Sequence, residues 1–128
     1  MELRVLEDSS VCEDEYLEYL NLVFPNWGDT STYTWVFDSD FGAGRADRIL
    51  ALVDNEVIGG TGISYRNICD SNGNLAKIGI MTGSWTLPAA RGKGCFSKLV
   101  LAMKDQATKK GCVLLTAFAF KDLSLIHI

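Results

Sequence analysis

Residues Arg91-Gly92-Lys93-Gly94 place two cations and two glycines in four positions, and a helical pattern begins directly after them. Glycine lets the main chain approach a ligand closely and take positive φ at little steric cost. The amides that open a helix have no partner inside it. Free amides, the positive end of a helix dipole and two cations together make a site for a diphosphate. Cys95, Phe96 and Ser97 are the first helical residues and bring their amides to the same place. The plainer alternative is a strand-to-helix connection with two solvated cations. The spacing is not that of a nucleotide P-loop, because Gly94 stands where Lys93 would need a following Ser or Thr. Nor is it a Gly-x-Gly-x-x-Gly dinucleotide turn, because position 97 is Ser.

Other reactive side chains are sparse. Cysteines stand at 12, 69, 95 and 112, with no Cys-x-x-Cys pair and no neighbouring His, which argues against a zinc site. Three of them fall inside expected elements as small apolar residues, and reduced thiols of a cytoplasmic protein are the simple reading. A helix N-terminus could lower the Cys95 pKa. No base stands near it, so a spectator role is expected. The net charge of −4 argues against nucleic acid or an anionic membrane as the main partner. Met1-Glu2-Leu3-Arg4 lacks the apolar core of a secretory leader, and no apolar run approaches the ~18 residues of a membrane span.

These residues need a frame. The segment from Ile78 to Leu87 is apolar and β-prone and stops at Pro88, which cannot donate to a ladder. A helix from Cys95 to about Lys110 carries Phe96, Leu99, Val100, Met103 and Ala107 on one face. Gly111 suits its C-cap, and Lys109 and Lys110 suit its negative end. The run Cys112 to Phe120 is almost continuously apolar and predicts a strand buried on both faces. Strand, helix and strand then form a parallel crossover.

Upstream, Glu2 to Leu6 alternates charged and apolar residues and predicts a first strand. Ser10 and Glu13 fit a capping box for a helix that Pro25 stops, with Cys12, Tyr16, Tyr19, Leu20 and Val23 as its buried stripe. Asp29 or Thr30 caps a second, short helix carrying Tyr33, Val36 and Phe37, with Trp35 off that stripe. Residues 38–47 read as a polar connector. Arg48–Val53 and Val57–Ile68 read as strands joined by the turn Asp54-Asn55-Glu56. Gly59, Gly60 and Gly62 mark a bulge or a close backbone approach. Asn72-Gly73 is the strongest turn signal and completes a three-stranded antiparallel meander. At 128 residues and 48% hydrophobic content, the chain suffices for one domain with a sizeable core.

At Arg91-Gly92-Lys93-Gly94-Cys95-Phe96, with Pro88 before it, the sequence resembles the GNAT acetyltransferase superfamily, whose signature is Gln/Arg-x-x-Gly-x-Gly/Ala after a strand. Phe96 departs from the usual small residue and leaves less room at the helix start. The resemblance covers residues 2–120. It implies an α+β fold in three layers, α/β-like at its crossover: a mixed sheet with strands 1 to 4 antiparallel and a parallel β-α-β step to strand 5. It implies that Arg91 to Ser97 grip the pyrophosphate of acetyl-coenzyme A, and that Ser84, Trp85 and Thr86 pair by backbone with the pantetheine arm. It also implies that the region between the first two strands walls an acceptor pocket. For Trp27, Tyr33, Trp35 and Phe37 in that region, ordinary packing is the alternative.

The last six residues, Leu123 to Ile128, resemble the translation of a transposon-end sequencing adapter. On that reading residues 1–122 are a single GNAT-like domain incomplete at its C-terminus, without the family's last helix and two strands. Residues 123–128 are then a non-native tail, and His127, the only histidine, has no catalytic meaning. The fifth strand would expose an unpaired apolar edge.

The implied activity moves an acetyl group from acetyl-coenzyme A to a primary amine on a small molecule or peptide, with a homodimer left open. It needs positioning of the thioester, a donor for the oxyanion and proton transfer. The candidate donor is a backbone N–H near Ser84 or Trp85, turned inward by a bulge. Between Leu75 and Leu87 there is no Asp or Glu to act as base. Tyr65, Glu56 or a water chain are the candidates, and no catalytic residue is assigned. Two alternatives stand beside the enzyme: a coenzyme A-binding module without catalysis, and a small α/β protein whose turn is merely structural.

Overall fold

The computed structural model describes residues 1–6 and 13–117. Five strands form one sheet in sequence order: β1 (Glu2–Leu6), β2 (Asp47–Val53), β3 (Glu56–Cys69), β4 (Leu75–Thr86) and β5 (Leu114–Thr116). β1 to β4 pair antiparallel, and β5 runs parallel to β4 with Ile78, Gly79 and Ile80 opposite Leu114, Leu115 and Thr116. The expected mixed α+β topology is therefore the observed one. Among the described residues no helix is long and apolar enough to cross a membrane.

Alternation along β2 explains the layers. Ile49 and Ala51 face one way and join Ile63, Tyr65, Leu99 and Met103 under α3 (Cys95–Lys109). Leu50 and Leu52 face the other way and join Tyr16, Leu20, Tyr33, Phe37 and Trp85 under α1 (Glu13–Val23) and α2 (Thr30–Tyr33). A strand with period-two side chains, buried on both faces, fixes one helical layer above the sheet and one below. The second layer is aromatic. Tyr16 meets Tyr33, Phe37 and Trp85 edge-on, and Tyr19 stacks on Trp85 at 5.1 Å.

Several expectations change. Ser10 and Cys12, and with them the capping box and one cysteine of the α1 stripe, lie outside the described residues, as do residues 118–128. Asp29 does cap α2: its side chain accepts from the Thr32 amide at 3.1 Å. A π-helical turn over Thr34–Asp38 then carries Phe37 inward and leaves Trp35 63% exposed. β3 runs one residue past the expected Ile68, to an exposed Cys69. The buried face of α3 is rotated from the expected stripe: Cys95, Leu99, Met103, Gln106 and Ala107 are buried, while Phe96 and Val100 are only half-buried. β5 is three described residues long, and it is not buried on both faces. Leu114 is 53% and Val113 72% exposed, because among the described residues β5 is the edge of the sheet.

The three glycines of β3 mark close approach. A Cβ at Gly59 would lie 2.7 Å from Cys95 Sγ and 2.8 Å from the Trp85 carbonyl oxygen. At Gly60 it would meet the Trp85 ring at 2.6 Å, and at Gly62 the Phe37 ring at 2.8 Å. Bare backbone there lets β3 tuck under the aromatic layer on one side and the start of α3 on the other.

Candidate functional site

β4 delivers the chain to the site. After Thr86, Leu87 is held by its amide on the Ile58 carbonyl at 2.8 Å, and Pro88–Ala90 make one 3₁₀ turn. Arg91, Gly92, Lys93 and Gly94 follow, all exposed. Gly92 at φ +82 and Gly94 at φ +78 are left-handed, and a Cβ on either would meet nothing within 4 Å. The turn therefore opens onto free space. Gly94 caps α3 without a side-chain hydrogen bond, and the first bond of the helix ladder is from the Lys98 amide to the Gly94 carbonyl at 3.3 Å. Among the described residues nothing accepts from the amides of Gly92 to Ser97. Six successive unpaired donors beside Arg91 and Lys93 form an anion cradle.

Beside the cradle, β4 is irregular. Thr82 faces Gly62 and Trp85 faces Gly60, so Gly83 and Ser84 together oppose Thr61 alone. This is a β-bulge in β4, and Gly83 at φ +61 is the left-handed glycine that opens it. Ser84 Oγ and Thr61 Oγ1 are 2.6 Å apart and pin the bulged residue across the strand pair. On the other edge of β4, pairing with β5 ends at Ile80 among the described residues. Among the described residues no strand pairs with that edge from Met81 to Thr86, which leaves backbone groups for an extended ligand.

Side-chain positions divide the expected site residues. Trp85 points into the α1 layer and is 3% exposed, so only its backbone can face the open edge. Cys95 is buried under Gly59, and burial pushes its thiol up rather than down. Its amide belongs to the cradle and its sulfur to the core. Phe96 is half-buried and Ser97 exposed.

A second polar group lies at the opposite end of α3. Tyr65 OH donates to Asp47 Oδ2 at 2.6 Å, and Gln106 Nε2 donates to the same oxygen at 3.0 Å. Lys110 Nζ stands 3.8 Å from it. Burial, then the Asp47 carboxylate, raise the Tyr65 pKa far above that of an ordinary phenol. Tyr65 is therefore a held donor to Asp47. Glu56 is exposed at the β2–β3 turn, opposite Val53.

The model described as "Acetyltransferase (GNAT) family" matches residues 10–125. The chain belongs to this family. Among curated proteins none matches it significantly. Among solved structures, this GNAT chain is similar to AAC(6')-Iy in complex with the bisubstrate analogue CoA-S-monomethyl-acetylneamine, with TM-score 0.75, 16% identity, and 98% of this chain and 85% of that one covered. It is similar to the apo aminoglycoside 6'-N-acetyltransferase AAC(6')-IG of Acinetobacter haemolyticus, with TM-score 0.71, 19% identity and 99% and 85% covered. It is also similar to a transcriptional regulator from Bacillus halodurans C-125, with TM-score 0.70, 18% identity and 94% and 84% covered. At these identities the likeness is one of GNAT fold.

Sequence reasoning missed Asp47, Gln106 and the buried Arg48 of the GNAT sheet. Arg48 donates to Tyr33 OH and lies 5.8 and 5.9 Å from the Tyr33 and Phe37 ring centroids. Each contact is non-local, so no short window shows it. The available signal was composition: two charged residues open an otherwise apolar strand.

Proposed function

We propose that the protein is an acetyl-coenzyme A-dependent N-acetyltransferase acting on a primary amine. The observation that carries this reading is the row of amides from Gly92 to Ser97 that are unpaired among the described residues, set beside a β4 edge with no described strand neighbour. The donors and open space at Gly92 and Gly94 fit a diphosphate. Arg91 and Lys93 would add charge at the phosphates, and the backbone of Ser84, Trp85 and Thr86 would pair with the pantetheine amides. When bound, acetyl-coenzyme A supplies an activated acyl carbon and a thiolate leaving group. The bulge at Gly83–Ser84 is the place for a backbone donor to the developing oxyanion. β4 offers no carboxylate between Leu75 and Leu87, and Tyr65 is committed to Asp47. No protein base is assigned, and in this reading the incoming ammonium gives its proton to solvent. Aminoglycosides join the acceptor panel because similar solved structures carry that name.

The test combines calorimetric titration with acetyl-coenzyme A and thiol release over a panel of amines. Binding is expected, and Gly94→Trp and Arg91→Ala are each expected to weaken it about tenfold or more, which is roughly 1.4 kcal/mol. Turnover is expected to rise with pH up to the acceptor's own amine pKa, with no inflection from a protein group. Absence of heat, or full binding in both variants, overturns the coenzyme site. Binding without amine-dependent thiol release leaves a coenzyme A-binding module instead.

A further inference from the structure

Between Ile58 and Ile63, β3 reads Gly-Gly-Thr-Gly, so Thr61 is the one side chain it carries there. This is the stretch that faces the bulge, where Gly83 and Ser84 together oppose Thr61. Register in a strand is set by side chains that prefer one face, and a glycine-rich strand specifies it weakly. Gly83, left-handed at φ +61, adds no side chain of its own. On the α1 side the Trp85 and Phe37 rings lie over Gly60 and Gly62. On the α3 side the contact that locates the extra residue of β4 is the one between Thr61 and Ser84.

Thr61 is fully buried, against Met103 of α3. Valine has almost the same shape and no hydroxyl to desolvate, so a threonine here is costly unless its hydroxyl is well bonded. Its three partners are unequal. Ser84 Oγ lies at 2.6 Å. Met103 Sδ, at 3.3 Å, is a thioether and a weak acceptor. The Gly62 carbonyl, at 3.5 Å, stands beyond the usual range of a hydrogen bond. Whichever hydroxyl donates, the bond to Ser84 is the strong one. The polar chemistry at position 61 is therefore directed at the bulge and not at the core around it.

We propose that Thr61 is a positioning residue for acetyl transfer: through Ser84 it fixes the bulge, and with it the backbone donor to the developing oxyanion. The inference rests on the acetyltransferase reading, because only there does the bulge have a reacting atom to meet. In that reading the diphosphate is held by the amides of Gly92 to Ser97, whose turn depends on Gly92 and Gly94 and not on position 61. Loss of the hydroxyl then disturbs the transition state and spares coenzyme affinity.

The experiment compares the whole chain with Thr61→Val and Thr61→Ser in steady-state transfer from acetyl-coenzyme A to the best amine of the panel, and in amide hydrogen exchange at Gly83, Ser84 and Trp85. Valine keeps the volume and removes the hydroxyl, whereas serine keeps the hydroxyl and removes a methyl. Thr61→Val is expected to lower kcat about tenfold, with KM for acetyl-coenzyme A within about twofold of the parent. It is also expected to speed exchange of the bulge amides about tenfold. Thr61→Ser is expected to recover most of both losses. Ser84→Ala is expected to match Thr61→Val, and the double variant to fall no further, since both changes break one bond. An active parent whose kcat is unchanged in Thr61→Val overturns this role alone. So do equal losses in the Val and Ser variants, a KM that rises as kcat falls, losses that multiply in the double variant, or bulge amides that exchange at the parent's rate in Thr61→Val. A parent that transfers no acetyl group overturns the acetyltransferase reading, and this role with it. Should Thr61→Val fail to fold, Ser84→Ala against the parent decides by the same two measurements.

Discussion

At Gly59 the fold of β3 and the position of the cradle become the same question. The hydrogen that stands for its side chain faces Cys95 Sγ and the Trp85 carbonyl. The first is the opening residue of α3 and the second belongs to the bulged part of β4. Adding one methyl must therefore push the helix start away from the strands that carry the open edge. Overpacking of this kind costs roughly 1–3 kcal/mol. Gly59→Ala is expected to lower the melting temperature by several degrees and to weaken acetyl-coenzyme A binding in parallel. Gly73→Ala is the control, because its Cβ would meet nothing within 4 Å and it bears only the strain of φ +81. A melting temperature for Gly59→Ala no lower than that of Gly73→Ala would mean that β3 and α3 stand further apart than the structure has them.

The hairpin between β3 and β4 shows how an element is held by one side chain. Asp70 Oδ1 accepts from the amides of Asn72 and Asn74 at 2.9 Å each, and Oδ2 accepts from Asn74 Nδ2 at 3.0 Å. These bonds favour the ionised form and hold the Asp70 pKa below its usual value. A depressed carboxylate contributes stability above its unfolded pKa of about 3.9, and that contribution is lost as pH falls through the lower folded value. Asp70→Ala is expected to melt earlier than the parent at neutral pH. The gap is expected to close as pH falls from about 5 towards 2. A gap constant with pH would show that the loop does not depend on the charge. This turn was legible beforehand because its signal, Asn-Gly among small polar residues, is contiguous. The same is true of Asp29, Pro25, Gly111 and the left-handed glycines 92 and 94. The rotated face of α3 was not legible. Gln106 is polar, and its burial follows from Asp47, 59 residues away. The exposure of Leu114 was hidden for a related reason: hydrophobicity says that a residue prefers cover, not whether a neighbouring element provides it. The bulge was half-legible: the family resemblance put one near Ser84, whereas the glycines of β3 signal close approach without saying which strand gains the extra residue.

Across the whole molecule, charge is sorted along the chain. The first 40 residues hold ten of the sixteen acids with Arg4 as their only cation, while residues 91–110 hold six of the twelve cations with Asp105 as their only acid. The α3 side is thus basic on a chain of net charge −4, and an anionic ligand is drawn to that side. Lys93 is exposed in the cradle turn, and under the proposed function it would act through this field and not through packing. Lys93→Glu is expected to lower acetyl-coenzyme A affinity about tenfold near 20 mM salt, and only about threefold near 0.5 M, because the Debye length shrinks below about 5 Å. Lys93→Met is expected to fall between parent and Glu at low salt and to converge on the parent at high salt. Lys109→Glu, at the far end of the helix, is expected to change affinity less than twofold, about 0.4 kcal/mol, at either salt. Calorimetric titration of the three variants at both salts separates two causes. Loss that shrinks with salt belongs to long-range charge, whereas equal loss at both salts means that Lys93 shapes the turn and that the amides alone hold the phosphates.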